Sequence, residues 1–399
     1  MCAQPRKVVP FFFAVLFLLL PLCLASAEVG VTDNEIVIGT SQPMTGGMAF
    51  IGNQNISGMT VMIDDINKKG GIFGRKINHV VMDDGYRSDR HIANVRRMID
   101  VNKVFCFVMN LGTPTVAASL PLLNQYKIPL YAPATESRIF DKEPYILAVF
   151  ASYRQMLIQG LNYMMQQRGK KKIALFYWDN AFGREHLDAA KEFLTAKGTD
   201  LLAEENYKEE DFDMSSQAMK LKKSNADCVA LGASLTGCIK IINAMHNIGY
   251  YPEILGPLML VSPGFVKVAG EHSEGVFVTL PFISPADQAV APYKEMAKKY
   301  YPDKPWDDNI MSGMGNIYSL VEACKRAGKD LTREKFIKAV EGMSDQNFDN
   351  PFLRGAKFQF GPGHHRACSS IMMGQIKAGQ LERVTGWLHW KDMPVPEIK

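Results

Sequence analysis

Residues 35–82 read EIVIGTSQPMTGGMAFIGNQNISGMTVMIDDINKKGGIFGRKINHVVM, and they contain a β-rich run, a helical stretch and a second β-rich run in that order. Apolar residues recur in the middle part at the three- and four-residue spacing of a helix, at Ile56, Met59, Ile63 and Ile66. The sequence Lys68-Lys69-Gly70-Gly71 follows, and basic residues before glycine typically end a helix. Strand, helix and strand in succession predict a βαβ unit in a parallel sheet.

The same alternation continues along most of the chain. After strands over 35–39 and 76–82, we expect helices over 89–101 and 115–126 and strands over 104–109 and 128–132. Farther on we expect strands over 173–177, 228–231, 254–256 and 276–280, and helices over 153–168, 184–197, 214–223 and 237–247. The last expected elements are helices over 291–300, 309–327 and 332–341 and strands over 370–376 and 381–388. This order predicts an α/β protein of two doubly wound lobes with a binding cleft between them.

The first 27 residues have the order of a secretory leader. Arg6 and Lys7 precede an apolar stretch over 8–24, and the small residues Ala25-Ser26-Ala27 follow. The alternative is a membrane anchor, but two prolines leave an apolar core too short to span a bilayer comfortably. We therefore predict cleavage after Ala27 and an exported mature protein.

Composition excludes several classes of function. The 399 residues are 47% hydrophobic and 22% charged, which is ordinary for a globular protein and excludes long-range disorder. A net charge of +4, from 45 basic and 41 acidic residues, is too small to indicate nucleic-acid binding. Five cysteines remain after the leader, an odd number without any CxxC motif: Cys106, Cys228, Cys238, Cys324 and Cys368. A zinc cluster or dithiol redox site is therefore not expected.

The enzymatic motifs that would carry a reaction are absent from the sequence. There is no P-loop, no GxSxG, no HExxH and no strand-linked GxGxxG. His364-His365 lies in a Gly/Pro turn, which we interpret as a solvated turn rather than a metal site. Asp83-Asp84 ends a strand, and we expect these acids in water or against Arg87 and Arg90. We predict no catalytic residue, no metal and no cofactor.

Two loops are candidates for binding a small anion. Residues 110–115 follow the third strand and open a helix with a proline in its first turn, which leaves the N–H groups of Gly112, Thr113 and Thr115 facing the cleft. Residues 132–137 follow the next strand and also supply backbone and hydroxyl donors at the carboxyl edge of the sheet. The alternative for both loops is ordinary strand-to-helix turn chemistry.

Several segments together resemble a known family. The leader, Glu35-Ile36-Val37-Ile38-Gly39 and the run from Asp64 to Ile77 are similar to type I periplasmic solute-binding proteins of the branched-chain amino acid (Leu/Ile/Val-binding) family. Further matching segments are Pro43-Met44-Thr45-Gly46, Pro133-Ala134-Thr135, residues 173–183 and residues 269–276. Each match alone is weak, but the resemblance covers nearly all of the mature chain.

The resemblance implies a two-lobed protein that closes on a small molecule through three crossovers, expected here near residues 150, 281 and 350. Lobe 1 would contain residues 28–150 and 281–350, and lobe 2 residues 151–280 and 351–399. It also implies a periplasmic location and delivery of the ligand to an ABC permease in the membrane. We expect a monomer that binds no nucleic acid.

The family's binding residues carry over by position. Its members hold a ligand carboxylate with the loops that match Leu111, Gly112 and Thr113 and that match Ala134 and Thr135. Positions matching Ile51 of lobe 1 and Phe182 and Ser234 of lobe 2 complete the implied site.

The departures from the family concern the rest of the ligand. Amino acid binders place an acid after Gly-Pro to pair with the ammonium, and here Gly256-Pro257 is followed by Leu258. The family aromatics at Ser234 and Asn309 are also absent. Burying an ammonium group without a charged partner costs roughly several kcal/mol of free energy. We therefore expect an aromatic or aliphatic carboxylic acid without an α-ammonium, with amides or urea-like molecules as the alternative.

The function predicted from these residues is capture of a small organic molecule for an ABC-type importer. The runner-up is the ligand-binding module of a sensory or chemotaxis system. A secreted enzyme on the same fold is the third reading, and it lacks a visible pair of nucleophile and base.

Overall fold

The computed structural model describes Met1 and residues 28–392. The predicted leader therefore lies outside the described residues except for Met1, and so do residues 393–399 of the expected second lobe. Within 28–392, no helix combines the length and the apolar character that crossing a membrane requires.

The first lobe is built on a five-stranded sheet. Its strands are β1 (Glu35–Gln42), β2 (Lys76–Asp83), β3 (Cys106–Val108), β4 (Leu130–Tyr131) and β5 (Ile146–Leu147), in the spatial order β2-β1-β3-β4-β5 with every pair parallel. Its first helices are α1 (Ala49–Lys68), α2 (Ser88–Asp100) and α3 (Thr113–Tyr126). Strand β1 is buried along nearly its whole length, as expected for a parallel strand covered on both faces.

The second lobe is built on a larger, mixed sheet. Its strands are β6 (Ile173–Trp178), β7 (Ala203–Tyr207), β8 (Cys228–Gly232), β9 (Glu253–Gly256), β10 (Phe277–Leu280), β11 (Ser370–Lys377), β12 (Gln380–Arg383) and β13 (Leu388–His389). The order is β12-β11-β10-β9-β8-β6-β7, and β13 pairs with β11. Helices in this part are α4 (Tyr153–Gln166), α5 (Ala181–Ala196), α6 (Ser215–Lys223), α7 (Leu235–Asn247) and α8 (Pro263–Ala269). The α/β class with two doubly wound lobes is confirmed.

Three further helices lie between β10 and β11 in the chain: α9 (Ala291–Tyr300), α10 (Asp308–Ala327) and α11 (Arg333–Glu341). Helix α10 packs against α1 at very short range. A Cβ added to Gly58 of α1 would lie 2.1 Å from the carbonyl oxygen of Ile310, and one added to Gly313 of α10 would lie 2.3 Å from that of Asn55. The two helices can approach this closely because both contact positions are glycine.

Two connections between the lobes lie side by side. The N–H of Ala148 donates to the carbonyl of His365 at 2.8 Å, and the N–H of Ala367 donates back to the carbonyl of Ala148 at 2.9 Å. The N–H of Cys368 donates to the carbonyl of Val149 at 3.0 Å. Residues 148–149 and 365–368 therefore form one paired strip where the chain passes between the sheets.

Some sequence-based elements need correction. Strand β7 was not predicted, because Glu204, Glu205 and Asn206 make it polar and it lies at the sheet edge. The strand expected over 381–388 divides into β12 and β13, because the Thr385 hydroxyl accepts the Met373 N–H at 2.9 Å in place of a ladder bond. The short β5 and α8 were also not predicted.

The polar pairs singled out in the sequence serve the fold, but with other partners than expected. Asp83 accepts hydrogen bonds from the Thr45 hydroxyl and the Met44 N–H, both at 2.7 Å, and Asp84 is buried 2.9 Å from the His91 ring. Neither acid pairs with Arg87 or Arg90. Asp83 stays partly exposed to water, which was one of the two expectations, whereas Asp84 is buried beside a histidine. His364 is exposed, but His365 is buried with Nε2 3.0 Å from Glu341, so the turn is only half solvated.

The described residues hold no group of three or more His, Cys, Asp or Glu side chains arranged to bind a metal ion. All five cysteines predicted for the mature chain are buried and free.

Candidate functional site

One cavity lies between the lobes at the carboxyl ends of strands from both sheets. It contains about 970 Å³ of space between atoms, part of which is open solvent, and residues of both lobes line it. The structure brings all ten residues selected from the sequence to this cavity: Ile51, Leu111, Gly112, Thr113, Ala134, Thr135, Phe182, Ser234, Leu258 and Asn309.

The loops after β3 and β4 form the polar end of the cavity. Leu111 and Ala134 pair as a parallel bridge, and the Ala134 N–H donates to the carbonyl of Asn110 at 2.9 Å. The hydroxyls of Thr113 and Thr135 lie 2.8 Å apart, and both side chains are almost fully buried. Two hydroxyls and the first turn of α3 therefore face one region, where a carboxylate would find several donors.

The expected donor role of Gly112 needs correction. Its N–H donates to the carbonyl of Ala134 at 3.4 Å, because the two loops pair with each other there. Its φ of +102° favours glycine, and an added Cβ would lie 2.5 Å from the Tyr86 ring and 2.7 Å from the Thr115 hydroxyl. Gly112 thus shapes the loop. Thr115 does not line the cavity, and its hydroxyl donates to the carbonyls of Leu111 and Gly112. The cavity donors at this end therefore belong to Thr113 and Thr135.

Aromatic side chains form the walls and connect the lobes. Tyr86, which follows β2 in the first lobe, stacks on Trp178 at the end of β6 in the second lobe, with ring centroids 5.9 Å apart. Tyr153 meets Phe182 edge to face at 4.8 Å. Burial raises the pKa of the Tyr86 and Tyr153 hydroxyls, so both are neutral donors at neutral pH. Sequence reasoning missed Tyr86, Tyr153 and Trp178, although the position of Trp178 at a strand end was an available signal.

The second-lobe residues close the cavity with little charge. Ser234 caps α7 by accepting the Gly237 N–H at 3.1 Å, and its hydroxyl is 2.9 Å from that of Tyr207. Leu258 and its neighbour Met259 supply an apolar wall. The hydroxyl of Ser234 is therefore already engaged in holding the helix start.

An acid that sequence reasoning missed also lines the cavity. Asp308 is the first residue of α10 and is 4% exposed, and burial raises the pKa of its carboxyl well above the ordinary value. The neighbouring Asp307 caps the helix, accepting the N–H groups of Asn309 at 3.1 Å and Ile310 at 2.9 Å. In the sequence, Asp307-Asp308 is typical of an ordinary helix start. The pattern therefore did not indicate that Asp308 belongs to a binding site.

A buried ionic network lies behind the loop after β4. Arg366, 5% exposed, donates to Glu136 at 3.0 Å and to Asp141 at 2.6 Å. It also donates to the backbone carbonyls of Ser137 and Phe150 at 2.9 and 2.7 Å. Burial raises the pKa of the Glu136 carboxyl to about 8, although Arg366 favours its charged form. The network joins the cavity loop to the paired strip between the lobes.

The same loop is tied to the second lobe by Glu185 of α5. Its carboxylate accepts the hydroxyl of Ser137 and the N–H of Arg138, the latter at 2.9 Å. Contacts of residues 136–138 therefore reach both lobes. A movement of one lobe relative to the other would act on the cavity loop directly.

Comparison with known proteins gives a consistent result. The family model for periplasmic binding proteins matches residues 35–380. Leu/Ile/Val-binding protein homolog 7 of Brucella melitensis biotype 1 is 24% identical over 377 residues, covering 88% of this chain and 91% of that protein.

Two solved structures are similar over most of their length. A fatty acid ABC transporter substrate-binding protein from Thermomonospora curvata has a TM-score of 0.83 at 24% identity, covering 93% of this chain and 97% of that one. A branched chain amino acid ABC transporter protein from Thermus thermophilus with bound valine has a TM-score of 0.82 at 20% identity, covering 89% and 97%. The two-lobed architecture described above is therefore shared with solute-binding proteins.

Proposed function

The chain belongs to the periplasmic binding protein family, and on this premise we propose that it captures a small organic carboxylate in the cavity between its lobes and delivers it to an ABC-type importer. The family and the relatives are solute-binding proteins of transporters, so the protein is a binding protein and not an enzyme. Membership of the family implies an exported, periplasmic location.

The observation that carries the carboxylate proposal is the Thr113–Thr135 hydroxyl pair at the start of α3. Both side chains are buried in the cavity, and a helix N-terminus favours a negative charge. The two structural neighbours named above are described with a fatty acid and with valine, and both of these ligands carry a carboxylate. Because residue 258 is leucine, we propose a ligand without an α-ammonium.

Capture would proceed by closure of one lobe on the other. We propose that residues 28–150 and 281–364 act as one body and residues 151–280 and 366–392 as the other, with the second boundary drawn at the paired strip between the lobes. Donors on the first body hold the carboxylate, and Phe182, Leu258 and the aromatic walls then exclude water. We further propose a monomer from which residues 1–27 have been removed on export, so that N-terminal sequencing begins at Glu28.

The first test is Thr113→Val, which keeps the side-chain volume and removes one hydroxyl. A thermal-shift screen of aliphatic and aromatic acids first identifies a ligand. A ligand present at 100 times its dissociation constant stabilises the folded protein by about 2.7 kcal/mol, which raises the melting temperature measurably. Calorimetry on the variant should then show binding weakened about tenfold, because one hydrogen bond contributes roughly 1.4 kcal/mol.

Thr60→Val is the matched control for this measurement. The Thr60 hydroxyl donates to the carbonyl of Ile56 within α1 at 2.8 Å, and the residue is not among those that line the cavity. We expect the control to bind like the wild type. Equal affinity in Thr113→Val and Thr60→Val would mean that the carboxylate is held elsewhere.

A further inference from the structure

Asp308 is a buried acid without an ionic partner. It is 4% exposed, lines the cavity and forms no ion pair with any Lys, Arg or His of residues 28–392. The other cavity acid, Glu136, is paired with Arg366 at 3.0 Å. A buried carboxylate is stable as an ion only when a partner compensates its desolvation.

Within residues 28–392, helix capping does not explain the burial of Asp308. The helix start is capped by Asp307, which also accepts the amide of Gln54 at 3.1 Å. The first turn of a helix favours a nearby negative charge by about 0.3–1 kcal/mol, which is less than the cost of burying it. Asp308 lines the cavity, so a compensating charge could reach it from there.

Polar side chains continue from Asp308 along one face of α10. Ser312 and Asn316 follow at four-residue intervals, so the three side chains share a face of the helix, and all three line the cavity. The amide of Asn316 donates to the hydroxyl of Ser312 at 3.4 Å. Asn55 of α1, buried and packed near this face, lines the same cavity. These four residues form a second polar region, which we call the α10 subsite.

The α10 subsite is on a different wall from residue 258. Leu258 follows β9 of the second lobe, whereas α10 packs on α1 of the first lobe. The loops holding Thr113 and Thr135 follow β3 and β4. A ligand anchored by its carboxylate at those loops would therefore reach the α10 subsite with another part of its structure.

We propose that Asp308 binds a protonated amine that the ligand carries at a position remote from its carboxylate, with Ser312, Asn316 and Asn55 as neighbouring polar contacts. This inference rests on the proposed function, because it needs a carboxylate anchored at the loops after β3 and β4. The substrate class is then an amino carboxylic acid whose amine is not on the α carbon. The amine supplies the positive charge that the protein itself does not provide for Asp308. Because the ligand carries no α-ammonium, no buried charge lies beside the apolar Leu258.

Calorimetry with matched ligand pairs tests the proposal. The probes are butanoate, pentanoate and hexanoate, each with and without a terminal amine, together with leucine. We expect the terminal amine to strengthen binding at least about tenfold for the acid whose chain length spans the two polar regions. Hydrogen bonds between charged groups are stronger than those between neutral groups. Absence of this gain at every length, or a gain with the α-amine of leucine instead, overturns the proposal.

The variant Asp308→Asn keeps the shape of the side chain and removes its charge. It should abolish the gain from the terminal amine while binding the plain acids as well as, or better than, the wild type. A gain that persists in Asp308→Asn would show that Asp308 does not hold the amine. The melting temperature of the empty variant should be equal or higher, because a buried uncompensated acid has been removed, and this excludes misfolding as the cause of lost binding.

Asp307→Asn is the matched control. Asparagine still caps a helix, and Asp307 is not among the residues that line the cavity, so a gain from the terminal amine should persist in this variant. The experiment distinguishes failure of the amine inference from failure of the carboxylate proposal. If the plain acids bind and the amine adds nothing, only this inference fails, whereas if no carboxylate binds at all, the proposed function fails with it.

Discussion

Replacing Arg366 with methionine is expected to lower the free energy of unfolding by about 3–5 kcal/mol. The guanidinium is buried and donates to two carboxylates and two backbone carbonyls. Methionine fills similar space but leaves Glu136 and both carbonyls without this donor. Removing one partner of a buried pair costs far more than the pair contributes net, because the groups that remain stay buried without the hydrogen bonds that compensated their desolvation.

Urea denaturation of the ligand-free protein measures this effect, and Arg87→Met is the control. Arg87 pairs with Asp89 at 2.9 Å, but its side chain is 61% exposed, and exposed pairs contribute about 0–1 kcal/mol. If Arg366→Met were no more destabilising than Arg87→Met, the network behind the cavity loop would have no structural role. Because Arg366 is part of the paired strip between the lobes, we also expect weaker ligand binding in the variant.

Gly313→Ala should destabilise the protein by about 2–3 kcal/mol, although helix propensity alone predicts a gain of about 1 kcal/mol. The new Cβ would lie 2.3 Å from the carbonyl oxygen of Asn55 and 2.9 Å from the backbone nitrogen of Met59. Both neighbours are backbone atoms of α1, so the helices themselves must separate. Displacement of α10 would also move Asp308 and Asn309 at the cavity, and affinity should fall with stability.

The control for this substitution is Gly342→Ala at the end of α11. There the nearest atom to an added Cβ is 3.6 Å away, and the residue is exposed. We expect stability to be unchanged or raised by up to about 1 kcal/mol. A Gly313→Ala variant that behaved like Gly342→Ala in denaturation would show that the α1–α10 crossing can relax.

The sequence was most informative where a local pattern decides the structure. Helical periodicity with a glycine stop located α1, and apolar runs located β1, β6 and β8. Strand β7 was missed because its alternation of the exposed Glu204 and Asn206 with partly buried residues is a property of its edge position. A pairing at a sheet edge depends on distant segments, and no window of sequence contains it.

The cavity was predictable in part for the same reason. Residues such as Thr113 and Ala134 follow strands of a parallel sheet, so their meeting at one edge follows from topology. Asp308 and Tyr86 were not predictable, because their places in the cavity depend on the α1–α10 crossing and on the contact between lobes. From the sequence alone, Asp308 is an acid at the start of a helix and Tyr86 is an aromatic residue in a loop.

The most direct measurement of the central claim is calorimetry of the unliganded protein with a carboxylic acid selected by the thermal-shift screen and with its primary amide. The amide keeps the size and shape of the acid, but it is neutral and presents an NH₂ donor in place of one acceptor oxygen. If Thr113, Thr135 and the start of α3 hold a carboxylate, the acid should bind at least about tenfold tighter than the amide, since hydrogen bonds to a charged group contribute about 1.5–3 kcal/mol. Equal affinity for both, or tighter binding of the amide, would contradict the account.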